Sequence, residues 1–383
     1  MINRRRFLTS AAMGGLAAGC SRPVSETGSA PEVPSYLAGY ESRYAEDPRA
    51  AALEWFRDTK LGLFIHYGLY SQVSHGEWLQ YDDTVPIAEY AKLAETFDAR
   101  NFDAEFFCQL AKEAEMKYIN LVCKHCDSFA LWDTNEGDFD IMNSPCKRDL
   151  VKEMSDACRR HGLGFFAFYE HGFDWRHPHG PAPWLFKARA ARPAYDPPDP
   201  HYAPQEEYDF QKYVDYANAQ ITELLTRYGD IAGIWLDGIG IPLSGDKSLY
   251  RAPELYAMIR SIQPQALISY KYGLTGDEDF FAPEDDQLQH MPDREPEKPM
   301  EVCTCMQYYP EGVKHRYHLW GDNKYAVHKT PDAVWEDLKM AARLKANLLL
   351  NVGPLGDGSV DPEDVAALRA VGERIRKEGF PAG

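Results

Sequence analysis

Short apolar runs alternate with amphipathic stretches along the chain from residue 61 onward. Six of these runs have the length and residue types of buried strands, and they lie at 61–68, 118–125, 163–170, 232–238, 266–272 and 347–354. Near-continuous apolar runs are typical of parallel strands that are covered on both faces. The pattern therefore predicts a parallel sheet whose strands are separated by helices.

Helical periodicity fills most of the intervals between these runs. Asp103 can cap one helix, and Thr330 followed by Pro331 can open another. Further helices are predicted at 149–160, 208–227, 252–262 and 361–378. Repeated βα units over about 330 residues favour a (β/α)8 TIM-like barrel of the α/β class over an open doubly wound sheet. The interval 275–325 has no clean βα pattern, so we expect the barrel to be distorted there.

The first 20 residues have the pattern of an export signal. Three arginines at 4–6 precede Phe7, Leu8 and a short stretch of small and apolar residues that ends at Cys20. The stretch is too short for a transmembrane helix, and paired arginines before Phe-Leu are typical of a twin-arginine signal. We expect an exported, periplasmic protein, or one that is anchored to the cell envelope by a lipid on Cys20. An ordinary cleaved signal with an incidental cysteine is the alternative.

The remaining chain divides by composition into two parts. Residues 21–50 are rich in Ser, Pro, Glu and Ala, which predicts a flexible spacer. Residues 51–383 show neither a shift in composition nor an internal repeat, which predicts a single barrel domain. The net charge of −18 disfavours a nucleic-acid partner, because such a surface repels phosphate. Aromatic side chains make up 13% of the chain, a surplus that suits a carbohydrate ligand as well as a large core.

Seven cysteines follow Cys20, and an odd number leaves at least one of them unpaired within the chain. Cys123 and Cys126 have the spacing of half a zinc site, and Cys303 with Cys305 could supply the other half. On a strand, however, the first pair would point to opposite faces. We therefore expect small buried thiols, with no metal and no other cofactor.

Polar and aromatic residues follow the carboxyl ends of five predicted strands, where a parallel barrel collects its functional groups. They are His66; Lys124, His125 and Asp127; Tyr169, Glu170 and His171; Trp235 and Asp237; and Tyr270 and Lys271. Asp237 stands out because it places an ionisable carboxyl beside Trp235 at the end of an apolar strand, where an unpaired charge is costly. Asp237 could instead cap a helix, but Gly238 follows it and no helix pattern begins there. A single active site accounts for all of these positions.

Several motifs, in the same order along the chain, resemble those of the α-L-fucosidases of glycoside hydrolase family 29. They include LGLFIHYGLY at 61–70, WLDG at 235–238 and NLLLNVGPLGDG at 347–358, and the likeness covers roughly 51–378. The resemblance implies a retaining exo-glycosidase that hydrolyses α-L-fucosides of a fucosylated oligosaccharide or glycan through a covalent glycosyl-enzyme. It implies that Asp237 is the nucleophile and that Glu284, in FFAPE, is the acid/base. Glu77 and Glu278 are the alternative positions for the acid/base.

The resemblance also implies a sugar-binding set, namely His66, Glu77, Trp78, His125, Cys126, Tyr169, Trp235 and Lys271. The family usually has His-His-Asp-Gly where this chain has His125, Cys126, Asp127 and Ser128. The second histidine normally helps to read the axial hydroxyl of fucose, and a thiol is a poor donor and acceptor. A changed sugar preference is therefore an open question. The C-terminal β-sandwich common in the family is expected to be absent.

Two other interpretations remain open on the sequence. One is a sugar-binding relative of the fucosidases with impaired catalysis or altered specificity, and it gains weight if Glu284 is not the acid/base. The other is a metal-dependent barrel hydrolase with His66, His125 and Asp237 as ligands, which would need further ligands and a metal requirement. The sequence does not give the linkage, the leaving group or the oligomeric state.

Overall fold

Seven parallel strands form the central sheet of the computed structural model, which describes residues 32–203, 207–285, 298–313 and 317–382. The strands of the chain are β1 Leu61–Ile65, β2 Tyr118–Lys124, β3 Gly164–Glu170, β4 Gly233–Asp237, β5 Leu267–Tyr270, β6 Glu301–Cys305, β7 Gln307–Tyr308, β8 Val327–His328 and β9 Asn347–Val352. The central sheet has the order β5-β4-β3-β2-β1-β9-β6, and β7 pairs with β8 in a separate antiparallel ribbon. All six predicted strands are confirmed.

The segment 280–284 lies between the two edge strands of this sheet and takes the place of an eighth strand. Single parallel bridges join Ser269 to Phe280, Phe281 to Met300 and Glu284 to Cys303. Pro283 has no N–H to donate, so a regular ladder cannot run through this segment. The prediction of a TIM-like barrel that is distorted within 275–325 is confirmed. The sequence did not single out β6, because its run EVCTC is short and is interrupted by Glu301 and Thr304.

Helices alternate with the strands and cover the outside of the barrel. They are α1 Glu41–Glu46, α2 Pro48–Thr59, α3 Leu79–Asp82, α4 Ile87–Ala91, α5 Ala104–Glu113, α6 Leu150–His161, α7 Phe210–Arg227, α8 Gly240–Leu243, α9 Ala252–Ile262, α10 Pro331–Arg343 and α11 Pro362–Glu378. Most of the long helices begin where an Asp or Thr side chain accepts a backbone N–H of the first turn, as at Asp103 and Thr330, whereas α9 begins without such a cap. Within the part of the chain that the structure describes, no helix has the length and apolarity to cross a membrane.

Side chains alternate between two apolar layers along each strand. Phe64, Phe166, Trp235 and Leu349 point into the barrel and form one buried cluster. Their sequence neighbours contact the surrounding helices and belong to a second, larger cluster. This period of two decides which residues at the strand ends reach the interior of the barrel.

Residues 33–50 are not the flexible spacer that the composition predicts. They form a short turn, α1 and the start of α2, and they bury Tyr36, Leu37 and Tyr44. Behind them, Trp55 of α2 stacks on Phe166 with ring centroids 6.4 Å apart and closes the amino end of the barrel. The burial of a few apolar and aromatic side chains orders this segment although its average composition is polar. The predicted export signal, Cys20 and the first part of the predicted spacer lie outside the described residues.

Candidate active site

A cavity of about 360 Å³ opens at the carboxyl ends of the barrel strands. Most of its walls come from residues at the ends of β1 to β5, from Glu284, from the segment just before α3 and from the loop that follows β7. The side chains that line it include Phe64, His66, Glu77, Trp78, His125, Phe168, Glu170, Phe173, Trp235, Asp237, Lys271, Tyr272, Glu284, His318 and Trp320. Eight of the ten predicted site residues are in this set. The exceptions are Cys126 and Tyr169.

Two carboxylates meet at a single ammonium group in this cavity. Lys271 Nζ lies 2.5 Å from Glu284 Oε1 and 3.3 Å from Asp237 Oδ1. Asp237 is the last residue of β4, whereas Glu284 lies in the segment that replaces the eighth strand. Because one lysine head group contacts both carboxylates, the two contacting oxygens lie no farther apart than the sum of these two distances, a range that includes the roughly 5 Å of retaining glycosidases.

The charge of Lys271 is coupled to both carboxylates. Burial raises the pKa of Asp237, Lys271 opposes that rise, and Glu284 adds to it. Burial alone would lower the pKa of Lys271, but Asp237 and Glu284 outweigh burial and raise it well above its usual value. The lysine is therefore charged, and one cation faces two acids. Retaining chemistry needs an ionised nucleophile, and the charge of Lys271 favours the ionised form of Asp237.

Two neutral histidines line the wall opposite Lys271's strand. Burial, and then the neighbouring His125, lowers the pKa of His66 well below its usual value. Burial, and then Lys271, lowers the pKa of His125 to about 3. His66 Nδ1 lies 2.7 Å from Asn351 Oδ1, and the Asn351 amide is oriented by its N–H donation to Trp320 O over 2.7 Å. His66 therefore donates from Nδ1 and keeps Nε2 as an acceptor.

Glu77 presents one carboxylate oxygen that has no hydrogen-bond partner among the described residues. Its Oε2 accepts the backbone N–H groups of Trp320 at 3.1 Å and Gly321 at 3.0 Å. Its Oε1 is buried and has no hydrogen-bond partner within the described part of the chain. Beside it, the ring of Trp78 stacks on His318 with centroids 4.5 Å apart. Glu77 thus offers an acceptor, and Trp78 an aromatic wall, to a polar ligand.

Tyr169 does not line the cavity, and the prediction that it does is wrong. Its side chain points outward from β3, and its hydroxyl donates to Gln220 Oε1 over 2.8 Å. The residues of β3 that face the barrel are its neighbours in the alternation, Phe168 and Glu170. The resemblance located the correct strand end. The alternation of side chains along β3, however, turns Glu170 and not Tyr169 toward the cavity.

Glu170 is a cavity residue that the sequence analysis placed at a strand end without giving it a role in the site. Its Oε1 accepts the backbone N–H of Gly172 over 3.1 Å, whereas its buried Oε2 has no hydrogen-bond partner among the described residues. Burial, and then Asp237 on the adjacent strand, raises its pKa well above the usual value. Gly238 makes room for it, because a Cβ there would lie 2.2 Å from Glu170 Oε1. Counting by two from the buried Phe166 and Phe168 would have identified Glu170.

Cys126 is also displaced from the cavity wall. It is fully buried in a cluster with Phe173 and Trp175, on the outer side of the cavity lining. Its Sγ lies 2.9 Å from His125 Nδ1. The prediction that Cys126 contacts the ligand is therefore wrong, and its contact with the site runs through His125.

The region 275–325 supplies two further cavity residues, His318 and Trp320. Trp320 packs against the ring of His66 with centroids 5.1 Å apart. The alternative acid/base Glu278 lies away from the cavity, where its Oε1 accepts from the hydroxyl of Tyr256 and the N–H of Leu274. Glu278 therefore stabilises a loop. Of the three predicted positions for the acid/base, Glu77 and Glu284 line the cavity.

All seven cysteines from Cys108 to Cys305 are buried free thiols, as expected. Over residues 32–203, 207–285, 298–313 and 317–382, no three His, Cys, Asp or Glu side chains are grouped to hold a metal ion. Among the described residues, His66, His125 and Asp237 therefore do not form a group of this kind.

A family comparison matches nearly the whole described chain. The family model described as Alpha-L-fucosidase matches residues 32–379. The tissue α-L-fucosidase of Rattus norvegicus is 25% identical over 349 residues, which are 85% of this chain and 68% of that protein. A Caenorhabditis elegans relative is 26% identical over 334 residues, and the match spans 80% of this chain but only 61% of that relative.

Solved structures give the same result. The structure of α-L-fucosidase isoenzyme 1 from Paenibacillus thiaminolyticus is 32% identical and superposes with a TM-score of 0.74, over 87% of this chain and 77% of that chain. The structure of the α-L-fucosidase AlfC from Lactobacillus casei, in complex with α-L-fucose product, is 27% identical with a TM-score of 0.73. That match covers 85% of this chain and 98% of AlfC.

Proposed function

The chain belongs to the α-L-fucosidase family, and from that premise we propose that it is a retaining exo-α-L-fucosidase. The observation that carries the proposal is the contact of Lys271 with both Asp237 and Glu284 at the floor of the cavity. Two carboxyls at this separation suit a double displacement, in which each acid has a separate task.

In the first step, Asp237 attacks the anomeric carbon of the sugar while the glycosidic C–O bond breaks. Glu284 gives its proton to the departing oxygen, so the leaving group departs as an alcohol. In the second step, Glu284 takes a proton from water, and the water oxygen displaces Asp237 from the anomeric carbon. Both carboxyls return to their starting protonation states.

The remaining cavity groups bind the sugar. Glu77 Oε1 and Glu170 Oε2 are buried oxygens without partners among the described residues, and burying an unsatisfied polar group is costly. Sugar hydroxyls are donors that can reach acceptors of this kind. His66 adds a further acceptor at Nε2, and Trp78 provides an aromatic face for the apolar side of the ring or its methyl group.

Relatives support a fucosylated glycan as the substrate. Variants of AlfC have been solved with 4-nitrophenyl α-L-fucopyranoside and with Fucα(1,6)GlcNAc. These structures are 26% identical to this chain, with TM-scores of 0.72 and 0.70. We propose α-L-fucosides of glycans as the substrate class.

The test is the release of 4-nitrophenol from 4-nitrophenyl α-L-fucoside, with Asp237→Asn as the matched control. The Asn variant keeps the shape of the nucleophile and removes its charge, so we expect turnover to fall by at least about a thousandfold with an unchanged melting temperature. Full activity in this variant would overturn the role of Asp237. Binding of fucose without turnover by the native protein would instead indicate a sugar-binding relative.

A second variant tests the acid/base. Glu284→Ala should lose activity on poor leaving groups, and azide should restore turnover of the aryl fucoside, because azide needs no general base. The product of rescue is fucosyl azide with retained configuration. If Glu77→Ala is rescued and Glu284→Ala is not, the acid/base role moves to Glu77. Inhibition of the native enzyme by a chelator would support the metal-dependent alternative.

We propose that the enzyme is exported and anchored to the cell envelope through Cys20. The basic start and the apolar stretch that ends at Cys20 support this location, and both lie outside the described residues. Labelled fatty acid should be incorporated into the native chain and not into Cys20→Ala. Incorporation into neither would favour an ordinary cleaved signal.

A further inference from the structure

Two thiols face each other where helices α5 and α6 pack together on the outside of the barrel. Cys108 Sγ of α5 lies 3.9 Å from Cys158 Sγ of α6. Both side chains are fully buried in the larger apolar cluster, and neither lines the candidate active site. A thiol is a weak donor and a weak acceptor, so a hydrogen bond between the two contributes little to stability.

Other buried thiols of the chain have partners of a different kind. Cys123 Sγ lies 3.4 Å from a backbone oxygen of its own strand, and Cys126 Sγ contacts the ring of the preceding histidine. Cys303 Sγ lies 3.4 Å from a backbone oxygen of the segment 280–284. The contact between α5 and α6 differs from these three because both of its partners are cysteines.

We propose that Cys108 and Cys158 form a disulfide when the protein meets a disulfide oxidant such as oxidised glutathione or a dithiol–disulfide oxidase. In the first step, one of the two thiolates attacks a sulfur of the oxidant and releases the other oxidant sulfur as a thiol. The second thiolate then attacks this mixed disulfide and displaces the remaining half of the oxidant. The protein loses two protons and two electrons, and the oxidant gains them as two thiols.

The movement that this reaction requires is small. An S–S bond is about 2.05 Å long, so the two sulfur atoms have to approach by about 2 Å. Rotation of two small side chains, together with a shift of packed helices by about 1–2 Å, supplies such a movement. Disulfides persist in exported proteins and are rare in the cytosol, so the bridge fits the export that we propose for this chain.

An exposed ion cluster covers the two thiols along the same seam between the helices. Glu105, one turn before Cys108, accepts from Arg160 Nε over 2.9 Å. The second oxygen of Glu105 lies 2.7 Å from His161 Nε2. Arg160 and His161 follow Cys158 within one turn of α6. These contacts join the helices at the surface, so the oxidant reaches the thiols through a local opening of this seam.

The bridge closes the segment 108–158, which contains β2 and the strand end that carries His125. A cross-link removes conformational freedom from the unfolded chain, and this effect grows with the length of the closed loop. We therefore expect oxidation to raise the melting temperature by about 5 °C or more. Neither thiol lines the cavity, so kcat/KM should stay within about twofold of the value for the reduced protein.

The experiment incubates the native protein with oxidised glutathione about 10 °C below its melting temperature, where local opening is frequent. The expected product has lost the mass of two hydrogen atoms and carries no glutathione. In a digest without reductant, the peptides that contain Cys108 and Cys158 should be joined to each other. Dithiothreitol should separate these peptides and should also reverse the rise in melting temperature.

The variants Cys108→Ala and Cys158→Ala each remove one partner, and oxidation should then raise the melting temperature of neither. Cys146→Ala is the matched control, since Cys146 is a buried thiol of the same cluster, and this variant should form the bridge as the native protein does. The proposal is overturned if the native protein keeps both thiols or joins either of them to another cysteine. A bridge that forms without raising the melting temperature, or that is lost in Cys146→Ala, overturns it as well.

Discussion

The Sγ atom of Cys126 lies 2.9 Å from Nδ1 of His125, and His125 in turn lines the cavity. Burial, and then Asp127, raises the pKa of the thiol well above its usual value, so Cys126 is protonated. Because His125 is neutral, its Nδ1 can accept the thiol proton. The proton on the ring then lies on Nε2. The cysteine thereby fixes the tautomer with which His125 meets a ligand.

Removing the thiol should weaken sugar binding without harming the fold. In Cys126→Ala, both tautomers of His125 become accessible, and we expect the Kd for L-fucose to rise about three- to tenfold. Nitrogen chemical shifts of the His125 ring would report a mixed tautomer, a change that a purely structural role does not produce. Cys126→Ser, which keeps a donor, should restore much of the affinity. An unchanged tautomer in Cys126→Ala contradicts this role.

Restoring the histidine that relatives carry is a separate prediction. The family resemblance implies a histidine at this position, and if the thiol weakened sugar binding, Cys126→His would strengthen it. The thiol is fully buried beside Phe173 and Trp175, so the larger ring overpacks this cluster. We expect a loss of about 1–3 kcal/mol in the free energy of unfolding, and no gain in affinity. Denaturant titration and calorimetric binding of L-fucose check both parts, and tighter binding at native stability would show that the cluster can accommodate the ring.

The strand ends could be predicted from the sequence. Which side chain at a strand end faces the cavity could not, because that depends on the alternation of residues along the strand. Asp237 could be identified because an acid at the end of an apolar strand has few structural explanations. Tyr169 was selected over Glu170 because the resemblance aligns strand ends, while the inward face is decided by alternation along β3. The eighth position of the barrel, at 280–284, is held by single bridges rather than by a ladder. Such a segment has no periodic signal to read.

Tyr169→Phe should leave activity unchanged, because the hydroxyl faces Gln220 and not the cavity. The loss of that buried hydrogen bond should cost about 1 kcal/mol in the free energy of unfolding. Glu170→Gln on the next residue should instead lower kcat/KM at least about tenfold, since Glu170 lines the cavity beside Asp237. Steady-state kinetics of the two variants on fucosyl fluoride decide between the neighbours. Equal effects at both positions would contradict the register.

Lys271 should control the acid limb of the pH profile. Asp237 has a pKa raised by burial, and Lys271 is the group that most opposes this rise. In Lys271→Met, the pKa of Asp237 rises further, so a higher pH is needed to ionise the nucleophile. The acid limb of kcat/KM should therefore move to higher pH, with a lower maximum. Lys271→Arg keeps the charge and should keep the limb near its native position. If the acid limb of Lys271→Met lies at the same pH as that of the native enzyme, Lys271 does not control the ionisation of Asp237.

Glu301 should make the folded protein less stable as pH rises. It lies inside the barrel, where it accepts from Trp235 Nε1 over 3.0 Å and from the hydroxyl of Tyr118. Burial raises its pKa from 4.5 to about 7. The folded state therefore holds a proton that the unfolded state releases between these values, and stability falls as pH rises through this window. The total loss from this group is about 3 kcal/mol.

Glu301→Gln removes the titration and keeps groups that can pair with both partners. Relative to the native protein, the variant should therefore gain stability as pH rises from 4.5 to above 7. Urea unfolding at pH 4.5, 6 and 8 measures the difference, and the fluorescence of Trp235 checks that the indole keeps its environment. Because Trp235 also lines the cavity, kcat/KM of the variant near the native value would show that the substitution leaves the site intact. A stability difference that does not depend on pH would mean that Glu301 stays in one protonation state in both the folded and unfolded protein.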